Sequence, residues 1–419
     1  MHPLYSLLVR LLAPAALAVV LVRGFRDRAY WQALHERFGF GRVLPAGRRI
    51  WVHAVSMGEV GAAAAIVRAL RVQHPECPLV LTTATPTGRA RAHALFGTDV
   101  DVRYLPYDLP GSMRRFLQRT EPIAAIVMET ELWPNLFTEC ARRKLPLVLA
   151  NARLSAKSVA RYRWVGALFR DLFTANVTIA AQTAEDAARF VAIGAKPERT
   201  HVVGNVKFDI AIDPSVAAAA QLFKAQLPAD RPVWVAGSTH AGEEEQVLDA
   251  HARLSAEFPR ALLILAPRHP NRFDSVAALL TRRGCLFKRR SQRTAPAPDD
   301  QVLLADTVGE LMMFYASAEA AFVGGSLVPI GGHNLLEPAA LGVPVLAGPS
   351  DFNAPEIAAL LVRQGALLRV AGAPELAGAL AGLFSDPGER QRLGAIARAT
   401  VEVNRGSVAQ LLRLVEPMI

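Results

Sequence analysis

The sequence predicts an α/β protein made of two doubly wound halves, on three observations. Short apolar runs of strand length alternate with helical patterns, as in parallel sheets covered by helices on both faces. The alternation pauses near Asp213 and Pro214 and then restarts. At 419 residues there is length for two domains with separate cores, and 52% hydrophobic against 7% aromatic residues suits Ala- and Leu-rich helices on sheets.

In the first half, Ile50 to Val55, Pro78 to Thr82, Val102 to Leu105, Ala124 to Met128, Pro146 to Ala150, Val177 to Ala180 and His201 to Val203 read as strands. Gly58 to Leu70, Pro86 to Leu95, Ser112 to Arg119 and Trp133 to Arg143 read as helices between them. In the second half, Pro232 to Ala236, Ala261 to Ala266, Val302 to Ala305 and Ala320 to Val323 are strands, with helices at Gly242 to Phe258, Asn271 to Arg282 and Leu311 to Ser317. Ser291 to Asp300 is polar and proline-containing, an exposed loop. The expected division is a segment at 1–28, a domain at 29–212 and a domain at 213–419. Two such halves would face each other across a cleft, and ligands of such sheets sit beyond the carboxyl ends of the strands.

Leu4 to Val22 is strongly apolar but carries Arg10 and Pro14, and the uncharged run Leu11 to Val22 falls short of the roughly 20 residues that a span needs. Basic residues follow it, at Arg23, Arg26 and Arg28, and hardly precede it. That disfavours a signal peptide and keeps the rest of the chain in the cytoplasm. An anchor at the inner membrane face is expected, whether it crosses the bilayer or lies in its surface.

The formal net charge of +10 draws the protein to anionic partners: nucleic acid, anionic lipid or phosphorylated substrates. Without a zinc finger, an RNA-recognition signature or a stripe of aromatic and basic residues, nucleic acid is disfavoured. Cys77, Cys140 and Cys285 are odd in number and far apart, which suggests free thiols in a reducing compartment. The histidines are scattered singly, so no metal-ligand cluster is read. Asp99-Val100-Asp101 matches the D-x-D of metal-using sugar transferases, but in the half opposite the nucleotide candidate, and is taken as a coincidence of short acidic spacing.

That nucleotide candidate is Phe322 to Pro349. Gly324-Gly325 break a strand, Gly331-Gly332 precede Asn334 as a helix cap, Leu335 to Leu341 form a short helix, Gly342 closes it and Val343 to Ala347 are the next strand. Bare glycine backbone beside a helix N-terminus favours a phosphate, and Glu337 would accept from a ribose diol. The plainer alternative is a β-α-β corner that uses its glycines for turning. Other strand ends supply Pro267-Arg268, where Arg268 would grip a phosphate, and Val308-Gly309-Glu310 at a helix start. Gly237-Ser238-Thr239-His240 is explained by Ser or Thr capping a helix rich in early acids.

In the first half, Glu59 follows a strand and opens a helix, where it would serve as general base on a hydroxyl. A capping box with Ser56 accounts for it equally well. Glu129 ends a buried strand, Glu131 reads equally as an N-terminal helix charge with Pro134 in the first turn, and Lys207 would be a cation over the cleft or a solvated loop lysine.

Taken in order, ERFG at Glu36, SMGE, ETELWPN, GNVKFD, GSTHAGEEE, APRHP, TVGEL and GGHNLLEPAALGVPV resemble the 3-deoxy-D-manno-oct-2-ulosonic acid (Kdo) transferases of lipopolysaccharide synthesis. The resemblance implies a GT-B fold of two Rossmann-like domains behind an N-terminal membrane-anchoring helix, with the last helices crossing back to the first domain. It implies CMP-Kdo as donor, the lipid A precursor lipid IVA as acceptor, inversion at the anomeric carbon, and neither metal nor cofactor. By motif, Glu59 is the base and Glu129 and Lys207 stabilise the transition state. Pro267, Arg268, Val308, Gly309, Glu310, Asn334, Leu335, Leu336 and Glu337 hold CMP. The alternatives are another GT-B enzyme using a UDP-sugar and a non-catalytic membrane-bound nucleotide-binding module.

Overall fold

The computed structural model describes residues 3–164, 172–173 and 176–419. The chain divides into two units, Met1–Asp209 with Asn404–Ile419, and Ile210–Val403.

The first unit is built on β1 (Ile50–His53), β2 (Leu79–Thr83), β3 (Val100–Tyr104), β4 (Ala124–Met128), β5 (Leu147–Ala152), β6 (Val177–Ala181) and β7 (Thr200–Val202). They form a seven-stranded sheet in the order β3-β2-β1-β4-β5-β6-β7, every pair parallel. Side chains alternate between two cores: Ile50, Val52, Ile126 and Met128 enter one, Trp51, Ala125 and Val127 the other. A strand buried on both faces shows as an unbroken apolar run, which is why the sequence exposes these strands. Chain order reverses between β1 and β4, and a crevice for ligands opens at such a point.

The second unit holds β8 (Val233–Thr239), β9 (Leu262–Pro267), β10 (Phe287–Arg289), β11 (Val302–Leu304), β12 (Ala320–Val323), β13 (Val345–Ala347) and β14 (Leu367–Arg369). Their order is β10-β11-β9-β8-β12-β13-β14, again parallel, with the reversal between β8 and β12. Trp234, Ala236, Leu263 and Leu265 pack on one face, Val233, Val235, Leu262 and Ile264 on the other.

Two features concern the ends of the chain. The N-terminal helix runs unbroken from Pro3 to Arg26, through Arg10 and Pro14, and Leu4–Arg26 is long and apolar enough to cross a membrane by length and composition. Its first turn is tied to the first unit: Tyr5 donates to Asp108 Oδ2 at 2.9 Å and Ser6 to Asn135 Oδ1 at 2.7 Å. At its other end Trp31 Nε1 donates to the Leu21 carbonyl at 3.0 Å. The C-terminal helix Ser407–Val415 belongs to the first unit, where Leu411, Leu412 and Val415 enter the core. Its start has no cap of its own; Asp209 accepts from the N–H of Gly406 and of Val408, both at 2.6 Å.

Candidate functional site

The acidic strand ends of the first unit meet beside the reversal point. Glu59 lies in the first turn of the helix Met57–Gln73, directly after β1, and Glu129 directly after β4. Ser56 caps that helix by accepting from Glu59 N–H at 3.4 Å, but the Glu59 carboxylate departs from a capping box. Its Oε2 reaches past the cap to the Val55 N–H at 2.9 Å, and Oε1 accepts from Ser56 Oγ at 3.3 Å. Burial, followed by the charges of Glu129 and Glu131, raises its pKa to about 7. A carboxyl that titrates near neutral pH is suited to take a proton from a hydroxyl.

Glu129 has a left-handed backbone, with φ of 57°, which turns its side chain out of the strand direction. Its carboxylate sits between two cations, Arg153 Nε at 3.3 Å and Lys207 Nζ at 3.8 Å. Arg153, just past β5, escaped the sequence reading; only the strand order brings it beside Glu129. Lys207 sits in the short 3-10 turn Val206–Phe208, whose start is fixed by Asn205 Oδ1 accepting from Lys207 N–H at 3.0 Å. Lys207 is thus held as an ion pair, not a free loop lysine. Glu131 accepts from Trp133 Nε1 at 2.6 Å, and burial raises its pKa. The D-x-D carboxylates are spoken for by cations, Asp101 by Arg42 and Arg103 and Asp99 by Arg71.

In the second unit the glycine-rich stretch departs from the expected phosphate cradle. The N–H groups of Gly325, Ser326 and Leu327 donate to the buried Glu243 carboxylate at 2.7, 3.0 and 2.9 Å. Those of Gly331, Gly332 and His333 go to Ser350 Oγ and to the Gly325 and Gly324 carbonyls. The amides at these glycines are therefore already used, and the glycines serve turning and close approach: a Cβ on Gly324 would lie 2.6 Å from the Ser238 carbonyl and 2.8 Å from Glu243. Glu243 also shows that the early acids after His240 do more than complement a helix; neither Ser238 nor Thr239 caps the helix Glu244–Glu257.

The helix after Asn334 is only Leu336–Ala340, and Leu335 precedes it as a cap with no side-chain bond. Asn334 still supports the turn, its Oδ1 accepting from Leu336 N–H at 3.2 Å and its Nδ2 donating to Glu337 at 3.1 Å. Leu335 and Leu336 are buried, so their backbone, not their side chains, is what a ligand would meet. Glu310 is gripped by Arg290, with Nη2 at 2.6 Å, and by Thr307, which holds its pKa below the usual carboxylate range. Val308 is exposed beside it, and Gly309 turns with φ of 93°. Pro267 ends β9, and Arg268 donates its N–H to the Thr239 carbonyl at 3.0 Å. Its guanidinium has no ion pair or side-chain hydrogen bond among the described residues.

Over 418 residues the chain is 40% identical to the 3-deoxy-D-manno-octulosonic acid transferase of Haemophilus influenzae, covering 99% of this chain and 98% of that one. The chain belongs to the Kdo transferase family. A family profile described as 3-Deoxy-D-manno-octulosonic-acid transferase (kdotransferase) matches residues 32–210, a range that includes Glu59, Glu129 and Lys207. A Kdo transferase from Bordetella pertussis is 36% identical over 425 residues, covering 98% of each chain. Among solved structures, UDP-GlcNAc 2-epimerase from Neisseria meningitidis bound to UDP-GlcNAc has a TM-score of 0.58 at 13% identity, over 88% of this chain and 100% of that one. That likeness shows the fold alone, and the fold is of the GT-B class.

Proposed function

We propose that the protein is an inverting glycosyltransferase that moves Kdo from CMP-Kdo to lipid IVA in lipopolysaccharide inner-core synthesis. The observation that carries the chemistry is Glu59, a strand-end carboxylate fixed by the Val55 N–H, whose pKa burial raises to about 7. Glu59 takes the proton of the acceptor's sugar hydroxyl as that oxygen attacks the anomeric carbon and the bond to CMP breaks. Positive charge then builds on the sugar while negative charge grows on the departing phosphate. Lys207 offsets the latter, and Glu129 holds Lys207 in place, 3.8 Å away. Pro267, Arg268, Val308 to Glu310 and Asn334 to Glu337 hold the CMP group.

The apolar N-terminal helix and the basic balance suit a phosphorylated lipid acceptor at the cytoplasmic face of the inner membrane. The first turn of the helix is tied to the body of the first unit through Tyr5 and Ser6, and Trp31 in the turn that follows bonds back to Leu21. That favours a helix lying in the inner leaflet over one crossing roughly 30 Å of hydrocarbon. An N-terminal tag labelled from the periplasm in whole cells would contradict it.

The deciding assay is transfer from CMP-Kdo to lipid IVA in detergent with EDTA present, comparing wild type with Glu59→Ala. Product from wild type alone is expected. No product from folded wild-type protein overturns the proposal, and stronger competition by UDP than by CMP would favour a UDP-sugar enzyme.

A further inference from the structure

We propose that His240, His269 and His333 join Arg268 in a subsite for an anionic group of the donor, its phosphate or its sugar carboxylate; this rests on the CMP-Kdo reading above. His240 follows β8 and His333 follows β12, the two strands that flank the reversal point of the second sheet, and Arg268 and His269 follow the neighbouring β9. The sheet order thus brings three histidines, scattered along the chain, to one edge. His240 Nε2 lies 2.7 Å from His333 Nε2, with ring planes within 10° and centroids 5.0 Å apart. At that separation the imidazoles meet end to end and share one hydrogen. His269 stands edge-on to His240 at 5.4 Å.

The surroundings carry positive charge that no carboxylate cancels. Glu243, the nearest acid to His240, spends its oxygens on the backbone N–H groups of Gly325, Ser326, Leu327 and His240. Glu244 is taken by Arg272 at 2.9 Å. Burial, reinforced by Arg268, lowers the pKa of His333 to about 4, and burial with the neighbouring His269, Arg268 and Arg272 lowers that of His240. The Arg268 guanidinium remains without a partner among the described residues. Because the glycine amides are occupied, an anion arriving at this edge is received by side chains: one guanidinium and the imidazole N–H groups.

The test titrates the full-length protein in detergent with cytidine, CMP and inorganic phosphate, and measures the KM for CMP-Kdo, in wild type, His333→Leu, His333→Gln and Arg268→Gln. If phosphate occupies the subsite, His333→Leu weakens CMP by roughly tenfold or more and leaves cytidine unchanged, and His333→Gln recovers part of the loss. If the carboxylate occupies it, CMP binding holds and the KM for CMP-Kdo rises by a similar factor. Either pattern supports the proposal. It is overturned if His333→Leu, melting like wild type, keeps wild-type values for both ligands, or if cytidine weakens as much as CMP. Failure of wild type to bind any cytidine nucleotide would instead remove the donor reading itself.

Discussion

At the carboxyl edge of the first sheet the half-buried groups are carboxylates, Glu59, Glu129 and Glu131, whereas at the same edge of the second they are imidazoles and a guanidinium. The scaffolds are alike: two seven-stranded parallel sheets, each with one reversal of strand order. Strand-end residues lie outside the apolar runs that make the cores, so their chemistry is free to differ while the fold stays the same. The first edge crowds three acids, with Arg153 and Lys207 drawn to Glu129, and the second sets imidazoles beside a guanidinium, arrangements that cost stability and are tolerated where function uses them. Burial, reinforced by the neighbouring acids, makes Glu59 basic enough to take a proton, and at the second edge Arg268 beside the imidazoles leaves a place for an anion.

The strongest way to break this comparison is Glu59→Gln. Loss of the base should lower transfer by roughly 10²- to 10⁴-fold while CMP binding stays within twofold of wild type. Steady-state transfer and CMP titration on the same preparation decide it. Equal loss of both would mean that the two edges do not divide the work. A smaller loss, roughly 10²-fold in kcat, is expected from Lys207→Met, because the charge of Lys207 matters as the phosphate departs more than when the donor binds. A rise in KM with kcat unchanged would move Lys207 to ground-state binding.

The scaffold was far more legible in the sequence than the pairings at its edges. β4 and β12 fall on the expected residues, Ala124–Met128 and Ala320–Val323, because a strand covered on both faces must be apolar throughout. β10 and β14 were not foreseen: Phe287-Lys288-Arg289 and Leu367-Leu368-Arg369 are edge strands of three residues, too short to stand out as apolar runs. Glu59, Glu129 and Lys207 could be found as strand-end residues, but Arg153 beside Glu129 and Arg290 beside Glu310 depend on which strands are neighbours. His240 and His333, 93 positions apart, illustrate the same limit. The glycine pairs misled because a glycine-rich turn looks alike whether its amides await a phosphate or already hold an internal carboxylate such as Glu243.

pH sharpens the comparison on the acidic side. If Glu59 acts as base, kcat/KM for transfer should fall about tenfold per unit as pH drops below about 7, the value to which burial raises its pKa. Stability moves the other way. A carboxyl whose folded pKa lies above its unfolded value of 4.5 keeps its proton in the fold after the unfolded chain has lost it, so stability falls as pH rises from 4.5 through 7. Glu59→Gln removes that ionisation and should melt higher than wild type at pH 8, with a smaller difference at pH 5. Equal differences at both pH values would mean that the charge of Glu59 costs the fold nothing.

The smallest expected effect tests what completes the first unit. Asp209, directly after the Lys207 turn, receives the N–H of Gly406 and of Val408, and so supplies from a distant part of the chain the cap that the helix Ser407–Val415 lacks. Asp209→Asn keeps an acceptor oxygen but removes the charge, while Asp209→Ala removes both, at a cost of about 1 kcal/mol for a helix cap. Leu411, Leu412 and Val415 still hold the helix to the core, so it should fray at its start without leaving the unit. Hydrogen exchange should quicken at Gly406 to Gln410 in Asp209→Ala, less in Asp209→Asn, and stay unchanged at the glycine turns of the second unit. Faster exchange along the whole helix would show that the Asp209 cap, more than the apolar face, binds the C-terminus to the first unit.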